Sequence, residues 1–382
     1  MHKLLNLSQL GGRLAKVDMM LMALLKRRMD LALQVGEYKI SKAEKIFRAK
    51  IESKRLAQVR IWARKNKMNP HFAETVLYTI IGESCKQQMI QLQNITSRKK
   101  KKGKTPAVES EWQKSLDRNL LVLAKRWSKT YDTDYDKAFF ATHDYLAFEN
   151  EVLEQELRKL SNRYVFLDLG CATGRLTFQF AGRFERVIGY DVSQDMIEKA
   201  KKRANDFGVK NASFGVVDIQ KGIPEPDNSV SFAVMNLGTA SDIREISGVL
   251  KEIGRVLVPH GRFLLSFYNV EALRYRWDFI PWSTGLAAEL NSIDECLDVH
   301  LGNRTLSVYA KPYSVSEISD LVRGKITIDE IQTYPTLSAI LPNDLFENQP
   351  EVQKSIMMMD KQLADSTLNG GAYIVVTGQK TG

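Results

Sequence analysis

The chain has 382 residues, 44% hydrophobic and 26% charged, which is long enough for two domains and argues against a disordered or fibrous protein. No apolar run approaches the ~18–20 residues of a membrane span, and the N-terminal MHKLLNLSQLGG lacks the long apolar core of a secretory signal, so a cytoplasmic location is expected. The net charge of +10 is uneven: residues 1–110 carry 24 Lys and Arg against 8 Asp and Glu, whereas residues 111–382 carry 31 against 37. Cys85, Cys171 and Cys296 stand far apart with no metal-ligand spacing, so no metal site is expected.

Three helices are predicted over residues 3–95. Steps of three and four from Leu10 pass through Leu14, Val17, Leu21, Leu24, Arg28, Leu31, Val35 and Tyr38, an apolar stripe with one arginine inside it. A capping-box pattern, Ser41 to Glu44, suits the start of the second helix, and Asn69 with Pro70 suits the start of the third. In the third helix the stripe of Leu77 and Ile81 continues into Ser84 and Gln88. Lys39 follows Arg28 by 11 residues, about 16 Å on nearly the same face. Two long cations closing on a small dianion, with Ser84 and Gln88 as neutral partners, is one reading. An arginine that snorkels to solvent beside backbone-bonded Ser84 and Gln88 is the other.

With LLKRRMDLALQVGEYK at 24–39, Glu52 and IIGESCKQQ at 80–88, residues 4–93 resemble the all-helical chorismate mutase family. The resemblance implies a pocket of Arg28, Lys39, Glu52, Ser84 and Gln88, with Glu52 next to the ether oxygen of chorismate. It also implies an intertwined homodimer. Two arginines of the family pattern fall on Gly11 and Ile51, with Arg13 and Arg48 nearby. Each lost donor removes a charge-assisted bond to a carboxylate or to developing charge, so a weak or silent mutase serving dimerisation or ligand binding is expected.

The run SRKKKKGKTP, 97–106, repels itself and contains Gly103 and Pro106, which reads as a solvated tether. The expected division is therefore a helical domain at 1–95, a basic linker at 96–110 and a second domain at 111–382.

The second domain opens with the aromatic-rich segment 126–148, followed by VFLDLGCATGRLT at 165–177, an apolar strand, a glycine turn and a helix start. Gly170 and Gly174 let the backbone pass close to a ligand at a helix N-terminus. RVIGYD ends a second strand at Asp191, where a carboxylate can hold both ribose hydroxyls, and Met196 follows at a position to cover an adenine face. A third strand ends at Asp218, a fourth at Asn236, and a fifth follows the Pro-His-Gly turn at 259–261. As an ensemble these elements resemble class I S-adenosylmethionine-dependent methyltransferases over about residues 111–382. That resemblance implies a Rossmann-like seven-stranded sheet behind the helical domain, an α plus α/β chain, with S-adenosylmethionine as cofactor. Asp168 and Gly170 would line the methionine end, Asp191 the ribose, Asp218 and Ile219 the adenine, and Asn236 would close the pocket.

Acceptor recognition is expected from 126–148 and from 269–283, whose aromatic residues suit an aromatic or apolar small molecule. His143 is the candidate general base. The leading reading is methyl transfer to a small aromatic or carboxylated metabolite of secondary metabolism. Its rivals are a bifunctional mutase and methyltransferase acting on prephenate or a descendant, and an RNA methyltransferase with a basic helical domain. No RNA-binding module is recognisable, which weighs against the last.

Overall fold

The computed structural model describes residues 7–41, 49–91 apart from 71, 75, 78, 79, 86, 89 and 90, 111–131, 140–272, 286–291, 295–301, 304–324, 326–341, 345–346, 348–366 and 368–381. The chain forms two compact units, Met1–Val108 and Glu109–Gly382. No helix among the described residues is long and apolar enough to cross a membrane.

In the first unit, α1 spans Leu7–Ser41 and α2 spans Ala49–Lys65, and every described residue between 70 and 91 is helical and forms α3. Asn69 caps α3, its side-chain oxygen accepting from the Phe72 N–H at 3.3 Å. The expected capping box falls differently. Ser41 still belongs to α1 and donates to the Tyr38 carbonyl at 2.8 Å, and residues 42–48 lie outside the described ones. The C-terminal half of α1 meets α3 at Gly36, where a Cβ would lie 2.6 Å from Cγ of Gln88. Only glycine permits that approach. The N-terminal half has no such cover: every residue from 7 to 24 is exposed, Leu14 to 65% and Leu24 to 62%.

The second unit begins with α4 (Glu111–Trp127) and α5 (Phe140–Arg158). A parallel run follows: β1 (Val165–Leu169), α6 (Arg175–Phe180), β2 (Arg186–Asp191), α7 (Gln194–Asp206), β3 (Ala212–Val216), β4 (Val230–Met235), α8 (Ile246–Val256) and β5 (Leu257–Tyr268). Next come β6 (Leu286–Asn291), β7 (Cys296–Leu301) and β8 (Arg304–Tyr309), then α9 (Val315–Val322), β9 (Thr327–Tyr334), α10 (Pro350–Ala364) and β10 (Tyr373–Gln379). The main sheet has seven strands in the order β3-β2-β1-β4-β5-β10-β9, with β10 antiparallel to both neighbours. Strand order reverses between β1 and β4, and in such sheets ligands bind beyond the carboxyl ends of the strands at that point.

Residues alternate between the two faces of the sheet. Val165, Leu167 and Leu169 of β1 join the core beneath α8 and α9, with Ile253 and Ile318, while Phe166 joins the core with Phe148 and Leu153 of α5 and Phe180 of α6. The other three strands, β6, β7 and β8, form a separate antiparallel sheet that buries Val299 and Val308 against Leu123 of α4. At the opposite end of the main sheet Arg262, 4% exposed, pairs with buried Glu156 of α5 and with Asp329 of β9 at 2.6 Å. Removing Glu156 leaves the buried guanidinium with Asp329 as its remaining carboxylate partner among the described residues. Glu156→Ala is expected to destabilise the protein by about 3–5 kcal/mol, measured by chemical denaturation.

Candidate cofactor and acceptor site

The turn after β1 is shaped by its backbone. Gly170 and Cys171 both donate to the Tyr190 carbonyl, at 2.7 and 3.0 Å, and Gly170, Ala172 and Gly174 all have positive φ. A Cβ on Gly170 would lie 2.6 Å from Cγ2 of Thr239, and one on Gly174 would lie 2.9 Å from the Phe178 and Phe214 rings. Asp191, at the end of β2, accepts from the Ala172 N–H at 2.9 Å with one oxygen and from the Ser193 N–H at 2.8 Å with the other. Each oxygen keeps a lone pair, so the carboxylate can still receive two hydroxyl donors. Burial raises its pKa although backbone donors oppose the shift.

Asp168 is 2% exposed, and one of its oxygens accepts from the Thr177 N–H at 3.2 Å and the Thr177 hydroxyl at 2.8 Å. It lies beneath the glycine turn and ties α6 to β1. Asp218 caps a single 3-10 turn that includes Ile219, accepting from the Gln220 N–H at 3.2 Å and pairing with Lys221 at 3.1 Å. Met196 is buried at the first turn of α7, and Asn236, 9% exposed, accepts from the Thr239 N–H.

Beside Asn236 a small cavity is lined by Thr142 and Tyr145 of α5, Leu237, Pro335 and Ala339 after β9, and Tyr373 of β10, with no charged group among its described lining. The Tyr145 hydroxyl donates to Ser266 Oγ at 2.9 Å, and Ser266 Oγ in turn accepts from the Gly238 N–H at 3.0 Å. Two buried carboxyls hold the wall that carries Pro335 and Ala339. Asp144 accepts from the Tyr334 and Ser338 hydroxyls, and Asp360 accepts from the backbone N–H groups of Thr336, Leu337 and Ser338. Burial, with Asp360 close by, lifts the Asp144 pKa to about 6.

In the helical unit Arg28 donates to Ser84 Oγ and, at 3.2 Å, to the Ile80 carbonyl; Ser84 Oγ donates to the same carbonyl at 2.6 Å. The Gln88 amide donates to the Ala32 carbonyl at 2.7 Å, and Lys39 is 5% exposed on α1. Arg28 and Ser84 therefore meet across α1 and α3 and share the Ile80 carbonyl, whereas Gln88 bonds only the α1 backbone and its buried Oε1 has no partner among the described residues. The Glu52 side chain and Arg48 lie outside the described residues, while Gly11, Arg13 and Ile51 are exposed.

Residues 160–278 match the family described as Methyltransferase domain, and residues 10–89 match Chorismate mutase type II. A mutase-type domain and a methyltransferase domain share one chain. Relatives of the second include an uncharacterized methyltransferase, YcgJ, of Bacillus subtilis, 30% identical over 99 residues, and a demethylmenaquinone methyltransferase of Symbiobacterium thermophilum, 35% identical over 130 residues. These matches take in 26% and 31% of this chain, which spans only 38% and 49% of those relatives' own lengths. Among solved structures, an S-adenosylmethionine-dependent methyltransferase from Clostridium acetobutylicum aligns over 66% of this chain and 99% of its own, at 16% identity and a TM-score of 0.46.

Within the methyltransferase domain, Gly170, Gly174, Asp191 and Asn236 lie at the carboxyl ends of β1, β2 and β4. His143 does not join them. It is exposed on α5, whereas Thr142 and Tyr145 carry the cavity-facing side of that helix. Of the expected acceptor segments, residues 132–139 and 273–283 lie outside the described ones.

The three-stranded sheet and its helix α4 were not anticipated, although the alternation in CLDVHL and RTLSVY and the intervening Gly302-Asn303 pair are hairpin signals. Arg244 ties this layer to the loop after β4. It donates to Asp117 of α4 at 2.9 Å and to the Gln113 carbonyl at 3.1 Å, and its guanidinium lies 4.4 Å from the centre of the Tyr309 ring of β8.

Burial lifts the Asp168 pKa from 3.8 to about 6. Over that interval the folded state holds the proton more tightly than the unfolded one, so stability is greatest below the lower value and falls as pH rises to the upper. Denaturation curves should show wild type losing stability relative to Asp168→Asn between those two values, with a constant difference at higher pH.

Proposed function

We propose that the chain is an S-adenosylmethionine-dependent methyltransferase acting on a small, uncharged, aromatic or apolar acceptor, with its helical domain serving dimerisation. One observation carries the cofactor reading: Asp191 is fixed by Ala172 and Ser193 with free lone pairs, directly beside a glycine turn that a Cβ would obstruct. S-adenosylmethionine supplies an activated methyl group on a good leaving group. The protein's share is then to position the acceptor in line and exclude water. The cavity beside Asn236 has no charged group among its described lining, which disfavours a carboxylated acceptor such as prephenate.

The dimer reading rests on α1. Leu10, Leu14, Val17, Leu21 and Leu24 are all exposed along one stripe, an arrangement that a second copy of the same helix can cover. The silent-mutase reading rests on Gly11 and Ile51 and on the bond between Arg28 and Ser84.

Asp191→Ala should weaken S-adenosylmethionine binding by roughly 1.5–3 kcal/mol by calorimetry, because it removes charge-assisted ribose contacts. Unchanged affinity would overturn the cofactor assignment. Light scattering should find the full chain dimeric and a fragment of residues 111–382 monomeric; a dimeric fragment would place the interface elsewhere. Chorismate-to-prephenate turnover should lie at least ~10²-fold below that of an intact mutase, and comparable turnover would restore the bifunctional reading.

A further inference from the structure

Asp242 ends a 3-10 turn, Thr239–Asp242, that follows β4. The residue is half-buried, and among the described residues no hydrogen bond or ion pair reaches its carboxyl group. Burial alone pushes its pKa well above the usual carboxylate range. A group that is partly open to water and yet this strongly desolvated lines a crevice rather than the outer surface.

Two cations that follow it among the described residues are committed elsewhere. Arg244 is held by Asp117 and Tyr309, and Lys311 faces Glu295 at 4.0 Å and the Tyr313 ring at 4.9 Å. The turn itself supplies a direction. Side chains three residues apart in a 3-10 helix eclipse one another, so Asp242 shares a face with Thr239. Thr239 is the residue that a Cβ on Gly170 would strike, at 2.6 Å, which sets that face toward the glycine cradle.

We propose that Asp242 is the electrostatic partner of the cofactor's cationic sulfonium, and that it makes the site prefer S-adenosylmethionine over the neutral product S-adenosylhomocysteine. This rests on the cofactor reading above. Alone, a desolvated carboxyl favours its neutral form; a cation fixed in the same crevice reverses that preference and is itself stabilised. The pairing is lost when the methyl group leaves, because the product's thioether sulfur carries no charge. Product release is thereby favoured without any movement of the turn.

The test is calorimetry on the full chain with S-adenosylmethionine, S-adenosylhomocysteine and sinefungin, whose amine places a cation where the sulfonium would be. Wild type should bind both cationic ligands about tenfold or more tighter than S-adenosylhomocysteine. Asp242→Asn, neutral and of the same shape, should shrink that ratio while keeping S-adenosylhomocysteine binding, which also reports that the variant is folded. An unchanged ratio in Asp242→Asn overturns the proposal. So does a wild-type protein that binds sinefungin no tighter than S-adenosylhomocysteine, a result that needs no variant. Failure of all three ligands to bind wild type would overturn the cofactor reading along with it, and is distinguishable from both other outcomes.

Discussion

The carboxylate of Asp191 joins two strands' ends into one surface. By accepting from Ala172 it fixes the turn after β1, and by accepting from Ser193 it fixes the start of α7. Backbone N–H groups at a tight turn are costly to leave unpaired, and an ionised acceptor forms the stronger class of hydrogen bond. The glycine turn and the first turn of α7 are consequently held in register around a single side chain. The cradle is rigid because its hydrogen bonds are made within the protein, before any ligand arrives.

The same device recurs around the site. Asp168 holds the first turn of α6, Asp360 gathers three successive N–H groups after β9, and Asp144 receives the two hydroxyls that flank them. These carboxyls are buried, and desolvation raises the pKa of Asp144 and Asp168 to about 6, yet the donors around them keep the loops in place. Asp242 differs in kind. It stands in the same region of the fold with nothing among the described residues donating to it, and that contrast sets it apart from the structural carboxyls.

The helical unit shows the opposite balance. In the C-terminal half of α1, Gly36 allows a close approach to Gln88, and only Gly36 and Lys39 of the helix are buried. The first half of α1 exposes a leucine stripe on a helix that also contains Gly11 and Gly12, each less favourable than alanine in a helix interior by about 1 kcal/mol. Such a segment gains its stability from packing rather than from propensity. Of the polar groups that match a mutase pattern, Arg28 and Ser84 bind each other across α1 and α3, and Gln88 bonds the Ala32 carbonyl.

The sequence by itself determined the helical front, the parallel strands and the glycine turn, because periodicity and turn chemistry are local properties of the chain. Asp191 and Asp218 were legible at strand ends for the same reason. Tertiary structure alone decided which face of α5 meets the cavity. Residues 142 and 143 are neighbours in the chain but about 100° apart around a helix, so Thr142 lines the cavity and His143 faces solvent. It also decided that α4 packs on a second sheet some 180 residues later, that Ser84 and Gln88 bind Arg28 and Ala32, and that Asp242 has no partner among the described residues. Those facts depend on distances between segments remote in sequence, and no local pattern encodes them.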